Sequence, residues 1–153
     1  MPDIMDATQL NLALRSELVG RIGCFAGGRT YVVPVAYAYD GQSIFGWSRD
    51  GSKLRVMRAN PEVCFEIDHV DRLDTWHSVI AWGTFEELHG DGALRAARLL
   101  RQRMGTPKPS DASLAGQLLR AGTAVALGGE AAHPDLHLFC IRLWEKAGRI
   151  ERP

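Results

Sequence analysis

Ser43-Ile-Phe-Gly-Trp-Ser-Arg-Asp-Gly-Ser-Lys-Leu-Arg-Val-Met-Arg-Ala-Asn-Pro61 is the stretch on which the fold turns. Ile44 to Ser48 has the composition of a short strand and Asp50-Gly51 that of a turn. Ser52 to Ala59 reads as a helix stopped before Asn60-Pro61. The start of that helix is unusual. A first turn sits at the positive end of the helix dipole and favours Asp or Glu. Here it carries Ser52 and Lys53, with Ser48 and Arg49 just ahead of it. Free backbone N–H groups, two hydroxyls and two cations therefore converge on one helix N-terminus, the chemistry of a phosphate or carboxylate site. A solvated basic turn would have the same composition, and this stretch alone leaves both readings open.

The chain around it has 153 residues, enough for one domain with a real core. Lys+Arg 18 balances Asp+Glu 18, so no global field draws it to nucleic acid or to an anionic membrane. Arg49, Lys53, Arg55 and Arg58 form a local basic helix, but without neighbouring exposed aromatics this is a weak nucleic-acid signal. No apolar run approaches the roughly 20 residues of a membrane span. The acidic Met-Pro-Asp-Ile-Met-Asp start lacks a signal pattern, so a cytoplasmic protein is expected. Cys24, Cys64 and Cys140 are far apart, which argues against structural zinc and a disulfide framework. Cys24 and Cys140 lie in apolar runs and read as buried thiols.

Working outward, Asp6 to Val19 has helical periodicity, and Gly20 would stop it. Arg21 to Phe25 and Thr30 to Tyr39 read as a hairpin about Gly27-Gly28. Pro34 marks an edge, a bulge or an opening in the second strand. Asp40-Gly41 joins a further hairpin to Ile44–Ser48. Glu62 to His69 alternates cleanly as a half-buried strand, Asp71 to Asp74 is a polar loop, and Trp76 to Leu88 is a long strand with Gly83 as a bend. Helices follow over Asp91 to Met104 and Ala112 to Ala121, flanking a loop with Pro107 and Pro109. Gly122 to Pro134 reads as loop or weak strand. Leu136 to Glu145 is the last strand, and Lys146 to Pro153 a polar tail. The sum is about six antiparallel strands in meander order, favouring a small closed barrel with flanking helices, mainly β (α+β), as a single domain over residues 1–153.

Ser48 with Lys53, and Trp76-His77-Ser78, sit near the ends of strands taken as adjacent. If the barrel closes, they would line one pocket with an aromatic wall and an anion clamp, suited to a phosphorylated aromatic cofactor. Trp76 reads equally well as a core or dimer-interface aromatic. His69 and His77 flank the polar loop and read as solvated histidines or a proton-transfer pair. His133 and His137 have helical metal spacing, but Pro134 between them argues against that helix and against metal. Ser/His/Asp order, G-x-S-x-G, P-loop and G-x-G-x-x-G are all missing, leaving hydrolase and nucleotide-triphosphate readings without support.

In order and spacing, a set of segments over Gly20 to Leu88 resembles the FMN-binding split barrels related to pyridoxamine 5′-phosphate oxidase, in particular the nitroimidazole-resistance-type group. The segments are Gly20-Arg-Ile-Gly, Tyr31-Val-Val-Pro-Val-Ala-Tyr37, Ile44-Phe-Gly-Trp-Ser48, Gly51-Ser-Lys53, Arg58-Ala-Asn-Pro-Glu-Val-Cys-Phe-Glu-Ile-Asp68, Trp76-His-Ser-Val-Ile80 and Gly83-Thr-Phe-Glu-Glu87. A weaker echo returns in Ile141 to Arg149. The resemblance implies a six-stranded antiparallel split barrel and a homodimer with FMN in clefts between subunits. Ser48, Ser52 and Lys53 would hold the FMN phosphate, and the backbone of Val33, Pro34 and Val35 would run beside the ring. Trp76, His77 and Ser78 would complete the cleft; no catalytic residue and no metal ligand is assigned. It implies a flavin-dependent oxidoreductase passing electrons from a nicotinamide donor to a small electron-poor acceptor, a nitroaromatic or a quinone. Rivals are a deazaflavin F420 or haem cofactor in the same fold, and a flavin-binding protein without catalysis. The pyridoxamine oxidases proper carry an Arg early in the second strand, where Val32 or Val33 stands here. Their C-terminal Arg-Leu-x-x-Arg segment is missing too, so pyridoxamine phosphate is a poor substrate expectation.

Overall fold

The structure is a computed structural model that describes residues 1–104 and 136–153. In chain order the elements are β1 (Asp3–Ile4), α1 (Ala7–Ser16), β2 (Val19–Ala26), β3 (Arg29–Ala36), β4 (Ala38–Tyr39) and β5 (Ser43–Arg49). They continue with α2 (Ser52–Ala59), β6 (Glu62–Arg72), β7 (Thr75–Glu87), α3 (Gly90–Met104) and β8 (Leu136–Glu151). The expected helix Ala112–Ala121, the Pro107 and Pro109 loop, Gly122–Pro134 and His133 lie outside the described residues.

The hairpins follow from turn chemistry. Gly27 and Gly28 have φ 61 and 75°, the left-handed pair that a two-residue turn needs, and Ala26 and Arg29 pair across it. At the second turn the Asp40 carboxylate accepts from the backbone N–H groups of Gln42 (2.9 Å) and Ser43 (2.8 Å). Gly83 cannot carry a side chain: a Cβ there would stand 2.5 Å from the Arg142 carbonyl oxygen. Beside it the β7–β8 ladder slips, Gly83 pairing with Leu143 and Trp82 with Glu145, so that Trp144 is an extra residue in a β-bulge.

Among the described residues eight strands, not six, form one antiparallel sheet in the order β3-β2-β6-β7-β8-β5-β4, with β1 added to β8. The order is not a meander. α2 carries the chain from β5 to β6, which pairs with β2, and β5 pairs instead with β8. The two ends of the order, β3 and β4, are separated only by Tyr37, so one run of chain supplies both edges and rolls the sheet into a barrel. The rolling is incomplete. β4 joins β5 over only Ala38↔Phe45 and Tyr39↔Ile44, whereas β3 stays with β2 from Ala36 to Arg29. Extending the β4–β5 register would set Val35 against Ser48, but the strands part first. This is the split.

Several sequence-based boundaries move. α1 ends at Ser16 and Val19 begins β2. The Asp71–Asp74 loop shrinks to a turn at Leu73-Asp74, because β6 runs on to Arg72 and pairs with Thr75. The polar tail from Lys146 is strand as far as Glu151, held by β7 and by β1.

The barrel interior is filled by Leu14, Ile22, Ile44, Leu54, Met57, Phe65, Ile67, Phe139 and Ile141, all fully buried. α2 is seated by Leu54 and Met57, one helical turn apart; burying each contributes about 1.5–3 kcal/mol. α3 lays Ala93, Ala96 and Leu100 on the outer face of β5 and β8, against Phe45, Trp47, Leu138 and Cys140. No helix among the described residues is long and apolar enough to cross a membrane.

Tyr37, where the chain changes partners, is 1% exposed and its hydroxyl donates to the Leu14 carbonyl at 2.6 Å. Tyr37→Phe leaves that carbonyl buried without its donor and should lose about 1–3 kcal/mol in urea unfolding. A midpoint equal to wild type would show that the hydroxyl plays no part in closing the barrel.

Candidate functional site at the mouth of α2

α1 and α2 begin differently. α1 starts with a capping box: the Asp6 carboxylate accepts from Gln9 N–H at 2.8 Å and the Gln9 side chain accepts from Asp6 N–H at 2.9 Å. α2 starts at Gly51 with no side-chain cap and no acidic residue in its first turn. The first intrahelical bond there is Arg55 N–H to Gly51 C=O, 3.1 Å, so the N–H groups of Ser52, Lys53 and Leu54 have no helical acceptor. Three donors at the positive end of a dipole lie open beside the split.

Lys53 strengthens this. It is half-buried, and burial lowers its ammonium pKa from the ordinary value, with the Cys24 thiol close enough to act on it. Among the described residues it has no carboxylate partner and no hydrogen bond. A buried cation of that kind is stabilised by an incoming anion. Ser48 is 6% exposed, and its hydroxyl donates to the Arg49 carbonyl at 2.9 Å. Ser52 is exposed and its hydroxyl accepts from Arg55 at 3.3 Å.

His137 belongs to the same mouth, and sequence reasoning weighed it only as a metal ligand. The β5–β8 register sets it opposite Ser48. Its Nε2 is buried and has no hydrogen bond; Asp50 Oδ1 stands 3.2 Å away but outside hydrogen-bonding geometry. Arg58 Nη1, 3.4 Å from Asp50 Oδ1, draws that carboxylate aside. The signal for His137 lay in strand register, which no spacing along the chain reveals. No group of three metal-ligating side chains occurs among the described residues.

Val33, Pro34 and Val35 stand on the edge of the split opposite Ser48, so six of the predicted site residues gather here: these three with Ser48, Ser52 and Lys53. Trp76, His77 and Ser78 do not join them. β8 lies between their strand and β5; Ser48 pairs with His137 at one end of β8 and Trp76 with Glu151 at the other. Fourteen residues of strand separate those ends, about 45 Å of backbone. Trp76 Nε1–H donates to Glu151 at 2.9 Å. The His77 ring stacks on His69 with centroids 5.7 Å apart, and its Nε2 is buried without a partner. Asp71 first, then Glu17, holds the His69 pKa above the usual histidine value. The single pocket expected from adjacent strands is thus not formed within one chain.

The lowered Lys53 pKa sets a pH dependence. The unfolded chain takes up that proton more readily, so the ligand-free protein should gain stability as pH rises from the lowered pKa toward the ordinary 10.5. Lys53→Met should flatten that rise in denaturant midpoints and be no less stable at neutral pH. Parallel pH curves for wild type and variant would show that the ammonium is not strained by burial.

A family model for pyridoxamine 5′-phosphate oxidase matches residues 6–127. An uncharacterised protein of Rhizobium meliloti (strain 1021) is 27% identical over 132 residues, covering 86% of this chain and 83% of that protein. Among solved structures, an FAD-binding protein from Mesorhizobium loti superposes with a TM-score of 0.68 at 24% identity, covering 100% of this chain and 98% of that one. A candidate 5-nitroimidazole antibiotic resistance protein from Bacteroides thetaiotaomicron gives 0.67 at 15% identity, covering 98% and 89%. The fold is that of these split barrels, and the chain belongs to the pyridoxamine 5′-phosphate oxidase family.

Proposed function

We propose that the protein binds FMN at the mouth of α2 and serves as a flavin-dependent oxidoreductase for a small electron-poor acceptor, a nitroaromatic or a quinone, with a nicotinamide donor. The observation that carries this is the uncapped N-terminus of α2 beside a half-buried Lys53 that has no carboxylate partner among the described residues. A bound flavin supplies reversible two-electron chemistry that the side chains of this chain lack. The residues do the rest. The N–H groups of Ser52, Lys53 and Leu54 and the Lys53 ammonium receive the phosphate, and His137 Nε2 is placed to donate to it. Val33 and Val35 bond β2, so the free edge of β3 would offer a planar ring the backbone groups of Val32 and Ala36 and the carbonyl of Pro34, which has no N–H.

A second copy of the chain would complete the site. Trp76, His77 and Ser78, on β7 beside the far end of β8, are too distant to reach their own mouth. The outer face of β3, β2, β6, β7 and β8 exposes Val32 (66%), Phe25 (49%) and Trp144 (62%) around a cavity of about 380 Å³ that Cys64 and Trp82 also line. An apolar face of that kind is what a homodimer buries.

Purified protein should be yellow, sediment as a dimer and release FMN on denaturation. Extraction of FAD would keep the flavin and overturn the single-phosphate reading; a Soret band would point to haem, and a colourless protein that ignores added FMN would end the proposal. Lys53→Ala should weaken FMN binding by about 1.5–3 kcal/mol with the fold intact. Trp76→Ala should alter the fluorescence of bound flavin in the dimer; an unchanged spectrum would confine Trp76 to its bond with Glu151.

A further inference from the structure

The other end of β5 carries a second cationic cavity. Its volume is about 390 Å³, within the range of small-molecule pockets, and Gly41, Gln42, Ser43, Arg142, Leu143 and Lys146 line it. It opens where β8 outruns β5. The last β5 contacts are Ser43↔Arg142 and Leu143 N–H to Gln42 C=O, and β1 takes up the same edge only at Gly148. Between them, Trp144 to Ala147 have no ladder partner on that edge among the described residues.

The bulge aims Lys146 into this region. Before it, Phe139, Ile141 and Leu143 face the barrel interior; the extra residue Trp144 reverses the alternation, so Lys146 follows them onto the face of Ala81. Among the described residues its ammonium meets only neutral groups there, Tyr39 Oη at 3.0 Å and Asn11 Oδ1 at 3.2 Å. The Tyr39 hydroxyl has one proton and two acceptors of its own, Asn11 Oδ1 at 2.6 Å and the Gly41 carbonyl at 2.9 Å. One ammonium proton of Lys146 is left over. Arg15 adds a second cation, 5.5 Å from the Tyr39 ring centroid, and like Lys146 it has no carboxylate partner among the described residues. The nearby acids are engaged: Asp40 by Arg95 and two backbone amides, Glu86 by Arg142 at 2.8 Å.

We propose that this cavity is a second binding site, for a small molecule bearing an oxyanion (phosphate or carboxylate) that Lys146 receives with Arg142 and Ser43 at the rim. It is separate from the mouth of α2. Lys146 lies nine residues from His137 along β8, about 30 Å of strand.

Calorimetric titration of the full chain, with whatever cofactor it retains, should show saturable binding of inorganic phosphate or of succinate with a Kd of about 1 mM or tighter. Which anion binds distinguishes the phosphorylated from the carboxylated ligand. Lys146→Met should weaken it about tenfold or more, and Lys146→Arg should largely keep it. Arg142→Gln, on an exposed side chain, gives the same test if Lys146→Met fails to fold. No saturable binding of either anion, or wild-type affinity in Lys146→Met, would overturn the proposal.

Discussion

The architecture depends on one residue changing partners. Tyr37 still donates its backbone N–H to Leu18 C=O at 3.1 Å, on the β2 side, while its neighbour Ala38 already pairs with Phe45 of β5. A strand that serves two edges must twist sharply between them, and the side chain pins the twist. The ring packs edge-on against Phe65 with centroids 4.8 Å apart, and the hydroxyl reaches the last turn of α1. Burial raises the phenol pKa, so the group stays a neutral donor across the physiological range. Because the switch is pinned there, β3 and the outer half of β5 cannot zip together. The split is therefore a consequence of closure by one chain segment, and the free strand edges beside it come with the fold.

The split would be an ordinary groove without the electrostatics of α2. An aspartate or glutamate in its first turn would satisfy the open N–H groups from within, as Asp6 does for α1. Ser52 and Lys53 cannot: the Ser52 hydroxyl turns to Arg55, and an ammonium accepts nothing. Leu54 and Met57 hold the helix rigidly on the barrel all the same, so the cost of an uncapped end is carried by core packing rather than relieved by fraying. A rigid helix whose end is open toward a gap in the sheet is preorganised for an anion.

Much of this was legible in the chain. The β5–α2 unit was read to the residue for the helix, because apolar period, turn glycines and the Asn60-Pro61 stop all agreed there. Six of the proposed site residues fall together because they are local to two neighbouring runs. What failed was long-range pairing. Nothing in the alternation of Glu62–His69 says that its partner is β2 rather than β5, and the error placed Trp76 next to Ser48. Lys146 to Pro153 reads as a polar tail because its apolar face shrinks to Gly148 and Ile150 at the barrel rim, where β1 and α1 cover it. His137 and the bulge at Trp144 are matters of register, fixed only when Gly83 lets two backbones close.

Charge placement gives the last step. The chain is neutral overall, and its lysines are only Lys53, Lys108 and Lys146. Ion pairs among the described residues involve arginines and histidines: Arg21 with Glu66 and Asp68, Arg58 with Glu87 and Asp50, Arg95 with Asp40, Arg142 with Glu86. Planar guanidinium groups suit such pairing at a surface. Lys53 and Lys146, by contrast, are both half-buried and, among the described residues, both without a carboxylate, one at each end of β5. A compact ammonium held away from water by neutral neighbours costs stability unless something anionic arrives. With balanced composition, positive potential arises where carboxylates are drawn away, and near these two lysines Arg58 holds Asp50 and Arg142 holds Glu86.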